Sequence, residues 1–592
     1  MKKYITLALL LINLLLNAEV RYVSKTGSST APYTTWETAC DSLQKCFDYC
    51  NNGDTVYVDR GIYRETILLD NRVLTIIGVD TDECIIDGTG LIGKVYANVL
   101  LLQKNGSINF KNILFKRKRT GNEFSSYDYY NMRGHLNFNN CIFDTSKNAL
   151  IGDGNTDIQN CIFRCVNNGI QIGFEYHIKI NNSLMNIFFW DTGASCITNS
   201  VYNGSFEITN NIFYTSPNNI LFITGIDILT GHGLEIQNNL FYGFSGGIEG
   251  YTDMNNPDTI NIINNTLICG SIKGDGIISG NLQGPVVVKN NIFSGFKTGI
   301  GLLEFGIDAD YNLFHNVTRV TNMPPIGEHN IVADPMFNKD TTFSFDAIDN
   351  FRLQKFSPAI DTGDPSILDV DGSRSDIGMF GGPNGISYEY QDLAPKVVKK
   401  LKAVYEPDTN RVKLTWKPNT EADLKQYYVY KDINPSFTLD STKRIAILSD
   451  TLFYDKLEKG TQKVYYKVTA TDMAGNQSYP SAEVNVTITD INEVTITENY
   501  EYALYQNYPN PFNPTTTISY SLKDESEVRI KIYAITGELI KTIIEGNKSK
   551  GYNETQIDLS NMASGIYLYR LEVTGKGKIP IFNDLKKMVL VK

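Results

Sequence analysis

The sequence predicts an all-β protein: a right-handed parallel β-helix (a single-chain solenoid) followed by two small β-sandwich domains. Three observations lead there. A six-residue block with an apolar first position, Asn third and Phe sixth recurs through residues 110–314. Apolar residues alternate with polar ones just before each block, as in Leu234-x-Ile236, Phe206-x-Ile208 and Val286-x-Val288, which is strand patterning. A Gly-Ile pair then follows at a fixed interval, with Phe163, Phe241 and Phe293 preceding Gly169, Gly247 and Gly299 by six residues.

The first 18 residues read as an export signal. Lys2 and Lys3 form a basic start, residues 5–16 an apolar stretch too short to span a bilayer, and Ala18 a cleavage position. No Cys follows that stretch, which argues against a lipid anchor, and no other segment approaches membrane-spanning length. Residues 35–51 then show helical spacing, with Trp36, Ala39, Leu43 and Phe47 on one face. A helix here is expected to close the open end of the stack, because terminal repeats must hide the core.

The blocks themselves are FKNILF, FNNCIF, IQNCIF, INNSLM, ITNNIF, IQNNLF, IINNTL, VKNNIF and ADYNLF, with anchors 28, 20, 22, 28, 28, 26, 26 and 21 residues apart. Asn tolerates left-handed backbone angles and bonds its own backbone, so the Asn pair supplies a sharp bend between strands. Three short strands per turn of this length describe one coil of a β-helix. Coils stack at roughly 4.8 Å, placing Asn over Asn and Phe over Phe. The Leu-dense signature of leucine-rich repeats is absent, and a propeller blade needs a repeat of about 40 residues.

With GDTVYVDRGIYRE after the helical segment and FRLQKFSPAIDTGDPSILDVDGSRSDIGMFGG at the end, residues 20–385 resemble secreted right-handed β-helix proteins of the pectate-lyase-like superfamily. The β-helix is therefore assigned to residues 19–390 with an N-terminal helical cap. The resemblance specifies the fold rather than the chemistry.

Residues 394–488 hold short alternating strands: Val412, Leu414 and Trp416 in one, Tyr427, Val429 and Tyr430 in another, and Tyr465, Val468 and Ala470 before the turn DMAGNQS. This resembles a fibronectin type III domain (391–490), with Trp416 as its core Trp and a spacer role implied. The last section runs from YQNYPNPFNPTTTISYSL through IYAITGELI and ASGIYLYRL to KKMVLVK. It resembles the C-terminal sorting domain of type IX secretion (491–592). That implies handling by the type IX machinery, passage across the outer membrane, and release or attachment at the outer cell surface after processing.

Composition narrows the partners. Net charge is −11 with pI near 5.2, which disfavours nucleic acid, since phosphate binding needs a basic face. An anionic polysaccharide would need a local basic patch or a bridging cation. The chain has 9 Cys. Cys40, Cys46, Cys50 and Cys84 allow a disulfide, and the absence of paired Cys-x-x-Cys spacing disfavours zinc. Cys141 and Cys161 occupy equivalent positions in adjacent coils and read as stacked buried thiols.

Length variation marks the faces that bind in a solenoid. The intervals after the third strand vary most, and they hold Glu175 and His177, Asp227 and His232, and Asp253, with Glu249 just before. These are the catalytic candidates: paired carboxylates there suit Ca²⁺ or acid–base work on a glycan. A solvated loop face is the alternative explanation. A second group is the insertion KRKRTGNEFSSYDYYNMRGH, in which Arg117, Arg119, Tyr127, Tyr129, Tyr130 and Arg133 combine cations with rings suited to sugar stacking and carboxylate pairing. The family resemblance adds that uronate-cleaving lyases of this fold use Arg or Lys as base, commonly with Ca²⁺. Two strings, Asn155-Thr156-Asp157 and Gly231-His232-Gly233, resemble polygalacturonase-type hydrolases, although the Asp-Asp pair of that family is missing between them. Asp369, Asp371 and Asp376 form an acidic closing turn for which Ca²⁺ is one reading and turn chemistry the other.

The expected function is recognition of an extracellular polysaccharide, with lyase-type cleavage as its enzymatic form. The alternatives are a non-catalytic adhesin or structural surface protein, and a polygalacturonase-like glycoside hydrolase. The one cofactor suggested is Ca²⁺. An integral membrane protein is not expected.

Overall fold

The computed structural model describes residues 18–591 except 70, 90–99, 103–105, 118–128, 132–133, 146–149, 153, 167–169, 173–176, 189–194, 200–203, 216–222, 231–232, 253–258, 271–273, 280–284, 302–306, 322–325, 339–347, 489–496, 509 and 576–578. The export signal therefore lies outside the described residues, apart from Ala18. The chain divides into two units, 1–392 and 393–592.

The first unit winds through three parallel sheets of 12, 12 and 11 described strands. Each coil contributes one strand to each sheet, as in Ser107–Lys111, Leu114–Arg117 and Tyr129–Asn131. It is the expected right-handed parallel β-helix, the hand that parallel crossovers overwhelmingly adopt. Register is strict. In the first sheet Phe110, Phe138, Ile158, Ile180, Ile208, Ile236, Ile262 and Val288 stack in one inward column. In the second, ring stacks run through Phe115, Phe143 and Phe163, with centroids 5.1 and 4.6 Å apart. They resume at Phe213–Phe241 and Phe293–Phe314.

The two residues of the Asn pair divide the work of the bend. The first takes left-handed angles, with φ between 49° and 56° from Asn112 to Tyr311. The second builds a buried amide ladder: Asn211, Asn239, Asn265, Asn291 and Asn312 each donate to the Oδ1 of the next coil at 3.0 to 3.1 Å. Each also donates Nδ2 to a main-chain carbonyl of the preceding coil, Asn265 to Ile236 at 2.8 Å for example. Ser183, Cys161 and Cys141 hold this position in earlier coils, and the thiols are free and buried. Cys40, Cys46, Cys50 and Cys84 are likewise free thiols.

The cap helix is shorter than the spacing predicts, spanning Leu43–Tyr49. Ser42 caps it, and the Glu65 carboxylate accepts from the Leu43 and Gln44 amides at 3.0 Å, satisfying donors the helix cannot use itself. Leu43 and Phe47 are buried as expected, but Trp36 lies outside the helix, 39% exposed against the ring of Tyr22. The reason is that Cys40 bridges to Val23, which holds residues 35–41 in turns.

The closing segment covers a flank rather than an end. Leu353, Ala359, Ile377, Met379 and Phe380 form a second apolar cluster with outward residues Leu240, Tyr242, Ile292 and Leu313 of the second sheet. Asn238 and Asn264 donate to its carbonyls at Met379, Gly381, Asp376 and Gly378.

In the second unit, a three-stranded and a five-stranded antiparallel sheet enclose Trp416, Tyr427 and Tyr466. The fifth strand, Thr497–Asn499, pairs with Glu483–Thr487. A three-stranded and a four-stranded sheet follow, around Tyr520 and Tyr569.

Candidate functional site

The third sheet assembles the carboxylates. Strands Thr224–Thr230 and Gly246–Thr252 pair in parallel, with Asp227 opposite Glu249. Spacing placed Asp227 in a loop. The six matched positions from Thr224 to Thr230 make that stretch strand instead. Ile226, Ile228 and Ile248 are buried in the core, so alternation turns Asp227 and Glu249 to the outer face. Both are half-buried there.

Gly225 and Gly247 stand two residues before the carboxylates. A Cβ on Gly225 would come within 2.6 Å of the Phe241 ring and 2.8 Å of the Gly247 carbonyl. Only glycine lets this strand lie against the phenyl column. The missing side chain at Gly225 thus lets the Asp227 strand lie close over the core.

The pair is electrostatically tense. Burial pushes the Asp227 carboxyl up to about 6, and the charge of Glu249 adds to it. Adjacent strands lie roughly 4.8 Å apart, so a cation binding between the two oxygen sets would relieve repulsion. Hard carboxylate oxygens suit Ca²⁺, which takes about 6–8 oxygen ligands. The pair supplies part of such a shell. Among the described residues no third carboxylate, imidazole or thiol closes on the pair. Glu175, His232 and Asp253 lie outside the described residues.

Of the insertion, Arg119, Tyr127 and Arg133 also lie outside the described residues, and Arg117 ends a strand of the second sheet. Tyr129 and Tyr130 form part of a third-sheet strand. The backbone register runs Tyr130, Ile151, Gln171, Thr198, Asp227, Glu249, so Tyr130 shares the carboxylates' column, four strands upstream of Asp227. Only counting the coils in register reveals this, because about a hundred residues separate them in sequence.

His177 belongs elsewhere. It opens a first-sheet strand and shares a hydrogen bond with Ser205 at 2.8 Å. Asp157 also lies on the first sheet, outward and 2.9 Å from His135 Nε2. Asp157 and Asp227 therefore occupy different sheets, and His232 of the second hydrolase-like string lies outside the described residues. In the closing turn the Asp369 carboxylate accepts the amides of Asp376 and Gly382, and Asp371 accepts from Ser373. These carboxylates serve the hydrogen bonds of the turn.

The fold defines the class: a parallel β-helix protein followed by small antiparallel β domains. Residues 506–580 match the family of secretion system C-terminal sorting domains, which is the type IX sorting domain expected and directs the chain to the outside of the cell. No curated protein matches the sequence. Among solved structures, the chain is similar to the pectate lyase Pel9A (16% identity, 62% of this chain and 98% of that one, TM-score 0.35). It is also similar to the central fibronectin-III array of RIM-binding protein (11%, 33% and 69%, TM-score 0.19). A third is the Clostridium perfringens spore cortex lytic enzyme SleM (22%, 18% of this chain, TM-score 0.14), of which the match spans only 32%. No helix among the described residues is long and apolar enough to cross a membrane.

Proposed function

We propose that the protein binds and cleaves an extracellular acidic polysaccharide along the outer face of the third sheet, by a lyase-type reaction. The observation that carries this reading is the register-matched Asp227–Glu249 pair, two half-buried carboxylates on an otherwise regular sheet face. Bound Ca²⁺ would supply a positive centre between an acidic chain and an acidic glycan. Asp227 and Glu249 would hold the ion, and their strands would fix its position over the core. Arg117, Arg119 and Arg133, in or beside the upstream insertion, are the cations available to pair with uronate carboxylates or to take up a proton.

A second reading rests on Asp227 alone. A carboxyl held near 6 beside another carboxylate is also the arrangement of a general acid and its partner in glycoside hydrolysis. One experiment separates the two. A panel of polysaccharides is assayed for the ultraviolet absorbance of unsaturated uronates and for reducing ends, with Ca²⁺ and with chelator. The lyase reading expects unsaturated products that need Ca²⁺ and fall about a hundredfold in Asp227→Asn. Reducing ends without unsaturation would identify the hydrolase. Retention without product would make the protein an adhesin, and neither retention nor product would overturn the carbohydrate reading.

A further inference from the structure

The outer face of the first sheet is separate from the carboxylate column and has its own organisation. At its N-terminal end, Tyr22 and Tyr57 are register partners with rings stacked 5.8 Å apart, and Trp36 packs on Tyr22 at 4.5 Å. The same register column continues through Ile77, Lys111, Asn139, Gln159 and Asn181. Beside it a second column carries Thr75, Asn109, Asn137, Asp157 and Lys179. Between these columns lies a groove of about 400 Å³ spanning four coils.

Its chemistry is mostly amide. Asn109, Asn137, Asn139, Gln159 and Asn181 all face outward along the groove. Asn139 donates to Gln159 at 3.0 Å and Asn181 to Thr209 at 2.7 Å. A side-chain amide has two donor hydrogens and two acceptor lone pairs, so one lateral bond leaves most of its capacity facing solvent. Of the groove's ionic groups, Asp157 and Lys179 have polar partners on the same face, and Lys111 is an exposed cation. Asp157 is paired with His135 at 2.9 Å and Lys179 with Glu207 at 2.6 Å. Towards the C-terminus the face is taken up by the closing segment, through Asn384 on Gln237 and Asp364 on Lys289. The open stretch is therefore the N-terminal half.

We infer that this half of the first sheet binds an extended, uncharged polysaccharide lying parallel to the solenoid axis. The coil spacing, roughly 4.8 Å, is close to the length of one hexose unit in an extended chain, so successive sugars would meet successive amide rungs. The aromatic end offers flat apolar faces for pyranose rings, and the amides offer donors and acceptors for hydroxyls. Five amides outnumber the charged groups Lys111, Asp157 and Lys179 along the groove, which favours hydroxyls as ligands. The two faces would hold different glycans of one matrix at the same time.

The test is affinity gel electrophoresis of the full chain in xylan, glucomannan and mixed-linkage β-glucan. Wild type is compared with Trp36→Ala, the double variant Asn139→Ala/Asn181→Ala, and the double variant Asp227→Asn/Glu249→Gln. Thermal unfolding confirms that each is folded. Trp36 is exposed, so its removal leaves the core intact even if the amide variant proves unstable. The expected result is retardation of wild type by at least one neutral glycan, with affinity about tenfold lower in Trp36→Ala and in the amide variant. The Asp227→Asn/Glu249→Gln variant is expected to keep wild-type retardation, whatever its effect on cleavage. The inference is overturned if no neutral glycan retards wild type, if Trp36→Ala and the amide variant migrate as wild type does, or if only the carboxylate variant loses binding.

Discussion

Arg21 is 2% exposed, and it lies opposite Val56 at the end of the inward-facing column. Its Nε donates to Asp54 at 2.9 Å, one terminal nitrogen to Glu19 at 2.8 Å and the other to the Pro32 carbonyl at 2.7 Å. A guanidinium so placed is stable only while its partners remain. Asp54→Ala should therefore cost about 3–5 kcal/mol, because the buried guanidinium loses its buried counter-ion and keeps only the exposed Glu19. Adding Arg21→Met to that variant should recover much of the loss, and denaturant unfolding of the three proteins checks both. Neither residue stands out in the sequence. The significance of Arg21 comes from its place on the terminal strand of the first sheet among the described residues.

The elements owe their order to the bends. The first Asn of each pair supplies the left-handed angle, so Asn160→Gly should be nearly neutral, since glycine takes that angle without penalty. The second Asn is internal. Asn265 donates to Asn291 and Ile236, and its own Oδ1 accepts from Asn239. Asn265→Ala should destabilise by about 1–3 kcal/mol for each buried group left unpaired, well beyond Asn160→Gly, as thermal unfolding of the two variants would register. The Asn-Asn dipeptide was plain in the sequence. Its division into a turn residue and a ladder residue was not, because both are the same amino acid and the folded backbone tells them apart, positive φ falling on the first alone. The cap helix shows the opposite failure. Its apolar spacing ran back to Trp36, and a tertiary bridge from Cys40 to Val23 stopped the helix short.

At the scale of the molecule, the closing segment ties coils together from the side, and one of its groups makes that tie sensitive to pH. Asp376 is buried, and burial, with Asp369 and Asp361 near, pushes its carboxyl up to about 6. A carboxyl raised in the folded state binds its proton more tightly there than in the unfolded chain. Its stabilising contribution is then full below about pH 4 and is lost as pH rises towards 6. Asp376→Asn should flatten that part of the melting temperature against pH curve, relative to wild type. The C-terminal half acts on location instead. Removing residues 500–592 should leave the protein inside the outer membrane rather than outside it, as fractionation of cells would report.

Sequence alone determined the solenoid, nine of its coils through the repeat blocks, its ring column and its exit route. These depend on local spacing, bend chemistry and a motif-rich tail, each visible within a few dozen residues. It also named Asp227 and Glu249, though as loop residues in a longer line of candidates. Only the tertiary structure decided that these two meet as partners in adjacent strands, that Tyr130 shares their column, and that Asp157 and His177 face another way. It alone disclosed the amide groove on the first sheet, from Asn109 to Asn181. The physical reason is register: in a stacked coil, neighbours in space are set by hydrogen-bonded rungs across turns of unequal length, and a shift of one residue turns a side chain from the core to the solvent.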